Sequence, residues 1–235
     1  MMTDEELRQA IAKLDWWHSI PLRPGIMTPG RSYNLFVEKI LNLPEDLHGK
    51  SVLDIGAWDG GYSFLCERRG ASPVVANDLW EQAGRSSFDF ARDVLGSHVV
   101  PIQGSFMDLD PIKTGRFDIV LFLGVLYHLK DPLGGLEKVA ELVKPGGIAV
   151  VDTVVDVRTL QDRPATYFYP GDELNGDPTN WWVPNIPAIN AMMGVAGFRT
   201  IQSVIQLYGA DRTIIHGIKK PDADYAGLAP SAATS

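Results

Sequence analysis

Ser51–Phe64, SVLDIGAWDGGYSF, is the stretch on which the fold turns. Ser51 to Ile55 reads as a short apolar strand with Asp54 near its end. Gly56, Gly60 and Gly61 supply the turn that follows, and a helix runs from Gly61 to Arg69. Strand, glycine turn and helix in that order make a cradle for a nucleotide-like cofactor. Glycine lets the backbone approach a ligand, and a helix N-terminus offers unpaired N–H groups. The spacing is not the G-x-G-x-x-G of dinucleotide folds. No Gly-Lys-Ser/Thr follows to make a P-loop.

Outward from this stretch, strand and helix alternate. Ser72–Asn77 is a strand, Ser86–Leu95 a helix and Val99–Ile102 a strand; then come strand Phe117–Leu123, helix Pro132–Val143 and strand Gly147–Val155. Such an order implies a parallel sheet covered on both faces. The close differs: after a helix at Ile189–Val195, strands Thr200–Leu207 and Thr213–Lys219 are separated only by Tyr208–Arg212. So short a link forbids a helical crossover, and the two strands must form an antiparallel hairpin. Val157–Pro187 shows no clear periodicity and reads as a functional lid. Upstream, Asp4–Trp16 has helical spacing with Leu7, Ile11 and Leu14 on one face. It leads into WWHSIPLRPGIMTPG, a loop broken by proline and glycine, and a second helix over Ser32–Leu41. The chain thus divides into an N-terminal cap and loop (residues 1–48), an α/β domain (49–220) with a lid at 157–187, and a tail (221–235) of disordered composition.

Asp54 to Gly60 resembles D-x-G-x-G-x-G, motif I of the class I S-adenosylmethionine-dependent methyltransferases, with Trp58 where the middle glycine usually stands. Five parallel strands and a hairpin match the seven-stranded, Rossmann-like sheet of that class, whose last strand is inserted antiparallel. The resemblance implies S-adenosylmethionine as cofactor, held by Asp54, Gly56, Ala57, Trp58, Asp59 and Gly60. Asp78, closing the second strand beside Leu79 and Trp80, is placed to accept from both ribose hydroxyls. Ser105 and Phe106, after the third strand, stand where such enzymes hold adenine, although Ser105 departs from the usual Asp. Leu123 and Gly124, ending the fourth strand, would flank the methionine portion.

The likeness extends further. FDIVLFLGVLYHLKDP, Phe117–Pro132, resembles the GVLYH segment of the tRNA wobble-uridine (5-oxyacetate-forming) methyltransferases and their small-molecule tailoring relatives. Some of these relatives also carry the WHSI, TPG, WDG and FYPGDELNxDPTNWWxPN segments found here. The tRNA members use carboxy-S-adenosylmethionine and meet its extra carboxylate with a lysine before motif I, the tyrosine of GVLYH and a late arginine. This chain has Tyr127 and, as a candidate, Arg212, but Pro24 follows Arg23 where the tRNA members have Arg-Lys. The missing lysine favours ordinary S-adenosylmethionine. The tRNA members also carry a long N-terminal extension that is not seen here.

On the acceptor side, all six tryptophans (Trp16, Trp17, Trp58, Trp80, Trp181, Trp182) are expected at the mouth of the site or its flaps. An aromatic enclosure would exclude water and hold a planar or apolar acceptor. Trp17, Tyr33, Tyr169, Asn180, Trp181, Trp182 and Arg212 are the expected acceptor contacts. Methyl transfer is a direct displacement, so a base is needed only when the acceptor carries a proton. His128 and His18 are the candidates for that base, with Tyr127 contacting cofactor or acceptor. No metal site is expected, since the acids near the strand ends lack His or Cys partners at ligand spacing.

Composition bounds the partners. The formal net charge is −8, and Val157–Pro184 holds Asp162, Asp172, Glu173 and Asp177 against Arg158 and Arg163 alone. Phosphate binding wants the opposite sign, so a small-molecule acceptor is expected rather than a nucleic acid. The longest apolar run, Ile119–Tyr127, is far below the roughly 18–20 residues that span a bilayer. A single cysteine, Cys66, and an acidic, amphipathic N-terminus fit a cytoplasmic protein. A methyltransferase acting on an oxygen or nitrogen of a small molecule is the first reading. A tRNA wobble-uridine (carboxy)methyltransferase and a non-catalytic, cofactor-binding regulatory protein are the alternatives. The sequence is silent on oligomeric state.

Overall fold

The computed structural model describes residues 2–30, 39, 41–80, 82–208 and 210–221. Seven strands form a mixed sheet with flanking helices and a C-terminal antiparallel hairpin, as the strand–helix order requires. The chain divides between Leu109 and Asp110 into two compact units. Tyr33, most of the helix expected over 32–41, and all of the 221–235 tail beyond Pro221 lie outside the described residues.

In the first unit, α1 (Asp4–Ile11) starts on a capping box: Thr3 accepts from the Glu6 N–H while the Glu6 carboxylate accepts from the Thr3 N–H. Leu7 and Ile11 bury its apolar face. The proline-rich stretch expected as plain loop contains a short antiparallel hairpin, β1 (Pro21–Arg23) with β2 (Ile26–Met27). The WHSI and TPG segments are zipped together beside it. The Thr28 hydroxyl donates to the His18 carbonyl at 2.6 Å and accepts from the Ile20 N–H at 2.7 Å. A side chain on Gly30 would fall 2.0 Å from the His18 backbone, so only glycine fits there.

Three parallel strands follow in the order β3-β4-β5: β3 (Val52–Ile55), β4 (Val74–Asp78) and β5 (Val100–Gln103). All of β3 is buried, as expected of a strand covered on both faces. α2 (Gly61–Arg68) leaves β3 through Gly60, whose φ of +83° suits glycine and whose missing side chain leaves room for Phe64 and Phe88. α3 (Gln82–Leu95) begins before the expected Ser86 and buries Phe88 against Phe64, ring centroids 5.4 Å apart.

In the second unit, Asp110 caps a short α4 (Pro111–Thr114), and β6 (Phe117–Leu123) runs parallel to β7 (Val143–Val154). Between them α5 (Pro132–Leu142) has Asp131 as N-cap and Pro132 in its first turn. The lid is less irregular than its sequence reads. β8 (Thr166–Phe168) pairs with β9 (Trp182–Pro184), and Asn185 caps α6 (Ile186–Val195). β10 (Phe198–Tyr208) and β11 (Ala210–Lys219) form the hairpin, and β11 adds antiparallel to β7. Among the described residues no helix is long and apolar enough to cross a membrane.

Candidate active site

The turn after β3 is built differently from the expected N–H cradle. The Gly56 and Ala57 N–H groups both donate to the Asn77 carbonyl at the end of β4, and the Gly60 N–H donates to the Ala57 carbonyl. Asn77 in turn holds the strand ends together, its amide donating to the carbonyls of Ile102 and Gly104. The Trp58 N–H donates to Asp78 at 2.9 Å, and the Trp80 N–H reaches the other oxygen of the same carboxylate at 2.9 Å. Asp78 is therefore fixed, half-buried, and keeps a free lone pair on each oxygen for two further donors. With the Gly56, Ala57, Trp58 and Gly60 N–H groups already taken, the turn has fewer donors to offer a phosphate; a fixed acceptor carboxylate suits a ribose diol. The residues present thus fit S-adenosylmethionine, which carries no phosphate, better than a dinucleotide.

Asp54 is 2% exposed and accepts from the Ser63 hydroxyl at 2.6 Å. Burial pushes its carboxyl from the ordinary 3.8 up to about 6, against the pull of Ser63 and His18. Asp59 has become a structural residue. It is fully buried and its carboxylate accepts from the Trp17 and His18 N–H groups, at 2.8 Å each, and pairs with the His18 imidazole Nδ1. Its side chain ties the N-terminal flap to the turn after β3. His18 is 4% exposed and packs edge-on against Tyr62. Ser105 caps the 3-10 turn at Phe106–Asp108 through the Met107 N–H, and Phe106 is buried among core side chains.

Two of the six tryptophans are not at a mouth. Trp16 is 3% exposed, its indole donating to the Ile11 carbonyl at the end of α1. Trp80 is also buried, with its indole N–H on the Trp58 carbonyl and its ring against Phe88. Both side chains are core; burying an indole with its N–H satisfied outweighs leaving it at a rim. Trp17 and Trp58 are exposed, and Leu79 is the most exposed of the expected cofactor contacts.

In the second unit, β6 ends at Leu123–Gly124, the Gly124 N–H bonded to the Asp152 carbonyl and its φ at +73°. A 3-10 turn over Leu126–His128 follows. The Arg212 guanidinium grips Asp152 with two nitrogens, Nε at 3.2 Å from Oδ1 and Nη2 on Oδ2, and its centre lies 5.2 Å from the Tyr127 ring. Burial opposes the Arg212 charge, but Asp152 and Tyr127 together outweigh it and hold the guanidinium above its ordinary range. The lid segment meets the same turn. Trp181 donates its N–H to the Tyr127 carbonyl at 2.8 Å and Trp182 its indole N–H to the Lys130 carbonyl at 3.3 Å. The Thr179 carbonyl and hydroxyl both face His128 Nδ1, at 3.1 and 2.9 Å. Phe168 packs against Trp182 at 4.8 Å, and Lys130 lies over Trp181. Tyr169 is half-buried beside this wall, its N–H on the Trp181 carbonyl. Asn180 is buried, its amide on the Leu174 carbonyl, so it shapes the lid from within.

The sequence reading gives Asp152 and Thr179 no site role and takes Asp177 only as part of an acidic lid. Asp152 had a signal: it is the one charge in the apolar run of β7, and a charge inside a covered strand needs a partner. Asp177-x-Thr179 has the i, i+2 spacing of a side-chain-capped turn. Among the described residues no group of three or more His, Cys, Asp and Glu is placed to hold a metal ion.

Comparison with known proteins places this architecture. A family model described as a methyltransferase domain matches residues 30–203. Among curated proteins, the tRNA U34 carboxymethyltransferase of Pseudoalteromonas translucida (strain TAC 125) is 29% identical over 212 residues, covering 86% of this chain and 62% of the relative. That of Pseudomonas syringae pv. syringae (strain B728a) is 30% identical over 165 residues, covering 68% and 48%. The chain thus spans about half to three-fifths of the length of the curated relatives it matches. Among solved structures, the N-terminal domain of EvdMO1 with SAH bound superposes with a TM-score of 0.67 at 18% identity, covering 94% of this chain and 98% of that one. The 1,6-didemethyltoxoflavin-N1-methyltransferase of Burkholderia thailandensis, with 1,6-didemethyltoxoflavin and S-adenosylhomocysteine bound, gives 0.59 at 17% identity, covering 94% and 92%. The chain belongs to the methyltransferase-domain family.

Proposed function

We propose that this enzyme transfers the methyl group of S-adenosylmethionine to an oxygen or nitrogen of a small-molecule acceptor. One observation carries the choice over carboxymethyl transfer to tRNA: the Arg212 guanidinium is already held by Asp152 through two nitrogens. An arginine so paired has little to offer the extra carboxylate of a carboxylated cofactor, and the upstream lysine is missing. Arg23, the residue before Pro24, is engaged with the Met2 carbonyl and Asp4. The acidic lid and the net charge of −8 point the same way, because each phosphate contact needs a cation. The toxoflavin enzyme, a small-molecule methyltransferase by its name, lends support by its fold.

The roles follow from the chemistry of each group. When bound, the cofactor supplies an electrophilic methyl carbon. Asp78 accepts from its ribose hydroxyls, and Gly56–Gly60 lets the backbone lie close to it. Leu123 and Gly124 flank its methionine portion. The aromatic wall of Phe168, Trp181 and Trp182 holds the acceptor and excludes water, with Tyr127 at its edge. The curated relatives keep the second reading, tRNA carboxymethylation, in play. Calorimetric titration with S-adenosylmethionine and its carboxylated form, beside filter binding of total tRNA near ~150 mM salt, decides between them. Preference for the ordinary cofactor and no salt-sensitive tRNA binding is the expected result. Preference for the carboxylated cofactor, or sub-micromolar tRNA affinity that declines with salt, would overturn the proposal.

A further inference from the structure

The lid segment Asp177–Trp182 is fastened to the turn after β6 at three points: Thr179 on His128, the Trp181 N–H on the Tyr127 carbonyl, and the Trp182 indole on the Lys130 carbonyl. The first fastening does more than hold the lid. A carbonyl can only accept, so the Thr179 carbonyl at 3.1 Å requires a hydrogen on His128 Nδ1. The Thr179 hydroxyl lies at 2.9 Å from the same nitrogen, but its own hydrogen is donated to Asp177 Oδ1 at 2.7 Å. It therefore also presents a lone pair to Nδ1. With the proton fixed on Nδ1, the neutral ring carries its lone pair on Nε2.

We infer that Asp177 and Thr179 are positioning residues that hold His128 as a base at Nε2, and that the acceptor is a planar ring bearing an acidic O–H or N–H, such as a phenol, an enol or a heteroaromatic N–H. The inference rests on the methyltransferase reading above. His128 takes the ring proton, the acceptor lone pair forms the bond to the methyl carbon, and the carbon–sulfur bond breaks with its electron pair going to sulfur. The imidazolium then returns its proton to solvent.

The charges around His128 set the acceptor class. Burial lowers the pKa of the ring below its ordinary value and Arg212 acts in the same direction, while the Thr179 carbonyl and Asp177 oppose them. The Tyr127 ring lies against it at 4.3 Å, and Lys130, two residues on, is directed to the Trp181 ring. Hydrogen bonds from Thr179 keep Asp177 below the usual carboxylate range, so it stays an acceptor at neutral pH. A base this weak is poorly matched to an aliphatic alcohol, whose proton is held about as tightly as that of water (pKa ~16), and far better to a ring acid near ~10 or below. Phe168, Trp181 and Trp182, packed on one another, offer aromatic faces on which a planar group can stack.

The test uses the full chain labelled with nitrogen-15 in its histidines and saturated with S-adenosylhomocysteine. Calorimetry of that titration checks cofactor binding by itself, so its failure would count against the methyltransferase reading and not against the tautomer. Nitrogen shifts assigned by loss of one signal set in His128→Gln should show the neutral His128 ring protonated at Nδ1. Asp177→Ala frees the Thr179 hydroxyl to donate to Nδ1 and should move the proton severalfold toward Nε2; Asp177→Asn, which still accepts, should restore Nδ1. Thr179→Val keeps the carbonyl and should stay Nδ1-protonated, which separates the hydroxyl effect from a loosened lid. A wild-type proton on Nε2, or no change in Asp177→Ala, overturns the positioning role. With labelled S-adenosylmethionine, 2-naphthol and a purine dione should be methylated at least ~10²-fold faster than alcohols of like size, and His128→Gln should cut transfer by ~10²–10⁴. Equal transfer to the alcohols, or none to any ring acid while cofactor binds, overturns the acceptor class.

Discussion

Asp54→Asn should change how the stability of this enzyme depends on pH, and the size of the change follows from the burial of one carboxyl group. Asp54 is 2% exposed, and burial raises its pKa from 3.8 to about 6, with the Ser63 hydroxyl and His18 as opposing influences. Between those values the unfolded chain is ionised at this position while the native protein still holds the proton. Native stability from this group is therefore full below pH ~4 and is lost as the pH rises through about 6. Roughly two pKa units at about 1.4 kcal/mol each give a loss of about 3 kcal/mol at neutral pH. About 1 kcal/mol of it is already lost at pH ~4.5, so about 2 kcal/mol should separate pH ~4.5 from pH ~7.5. Asn keeps an acceptor for Ser63 and cannot ionise. The stability gap between variant and wild type should widen by that amount over the interval, or about 4–8 °C in Tm for a chain of this size. Urea unfolding followed by circular dichroism at matched ionic strength measures it. Parallel pH curves for the two proteins would refute the reasoning, because a carboxyl that titrates alike in both states contributes no slope.

Asp78→Ala should weaken S-adenosylhomocysteine binding roughly ten- to a hundredfold, from the loss of about 1.5–3 kcal/mol of charge-assisted hydrogen bonding. Unchanged calorimetric affinity in a folded variant would remove Asp78 from the ribose site. Asp59→Ala should cost about 3–5 kcal/mol of stability, since it strands the Trp17 and His18 N–H groups and a buried imidazole. Urea unfolding, with the fluorescence of the exposed Trp17 as a reporter on the flap, should show both the loss and a change at the N-terminal loop. A cost below ~1 kcal/mol would mean that the carboxylate does not hold the flap.

Local physics made the frame legible. β3 reads as a covered strand because every residue in it is apolar or pairs at its end, and the hairpin of β10 and β11 follows from a link too short for anything else. The place of Asp78 at the end of β4 was legible too, since the apolar run of that strand gives way there to Asn77 and Asp78. What the sequence hid was which donors each acid had already taken. Asp59 looks like a member of the cofactor turn until the fold brings Trp17 and His18, far away in sequence, onto its two oxygens. Trp16 and Trp80 share the composition of Trp17 and Trp58, and only packing separates the buried pair from the exposed one. The β8–β9 ladder escaped periodicity because each strand is three residues long, too short for alternation to register.

The pairing of Arg212 with Asp152 is likewise a consequence of strand register. β11 lies antiparallel to β7 with Arg212 opposite Val154 and Ile214 opposite Asp152, so Arg212 and Asp152 are diagonal neighbours on one face of the sheet. No loop has to move to bring them together. A ligand carboxylate arriving at Arg212 must therefore share the cation with the Asp152 carboxylate already on it. At an effective dielectric near 20, two such charges about 4 Å apart repel by about 4 kcal/mol, the same size as the attraction each has for the guanidinium. The gain and the cost cancel, and the phenol of Tyr127 is left as the remaining partner. An ordinary sulfonium cofactor brings no such charge to this corner. Asp152→Asn removes the competing charge while keeping the residue's size and the strand register. In the paired titrations of the two cofactors it should raise affinity for the carboxylated form selectively, and leave that for S-adenosylmethionine near the wild-type value.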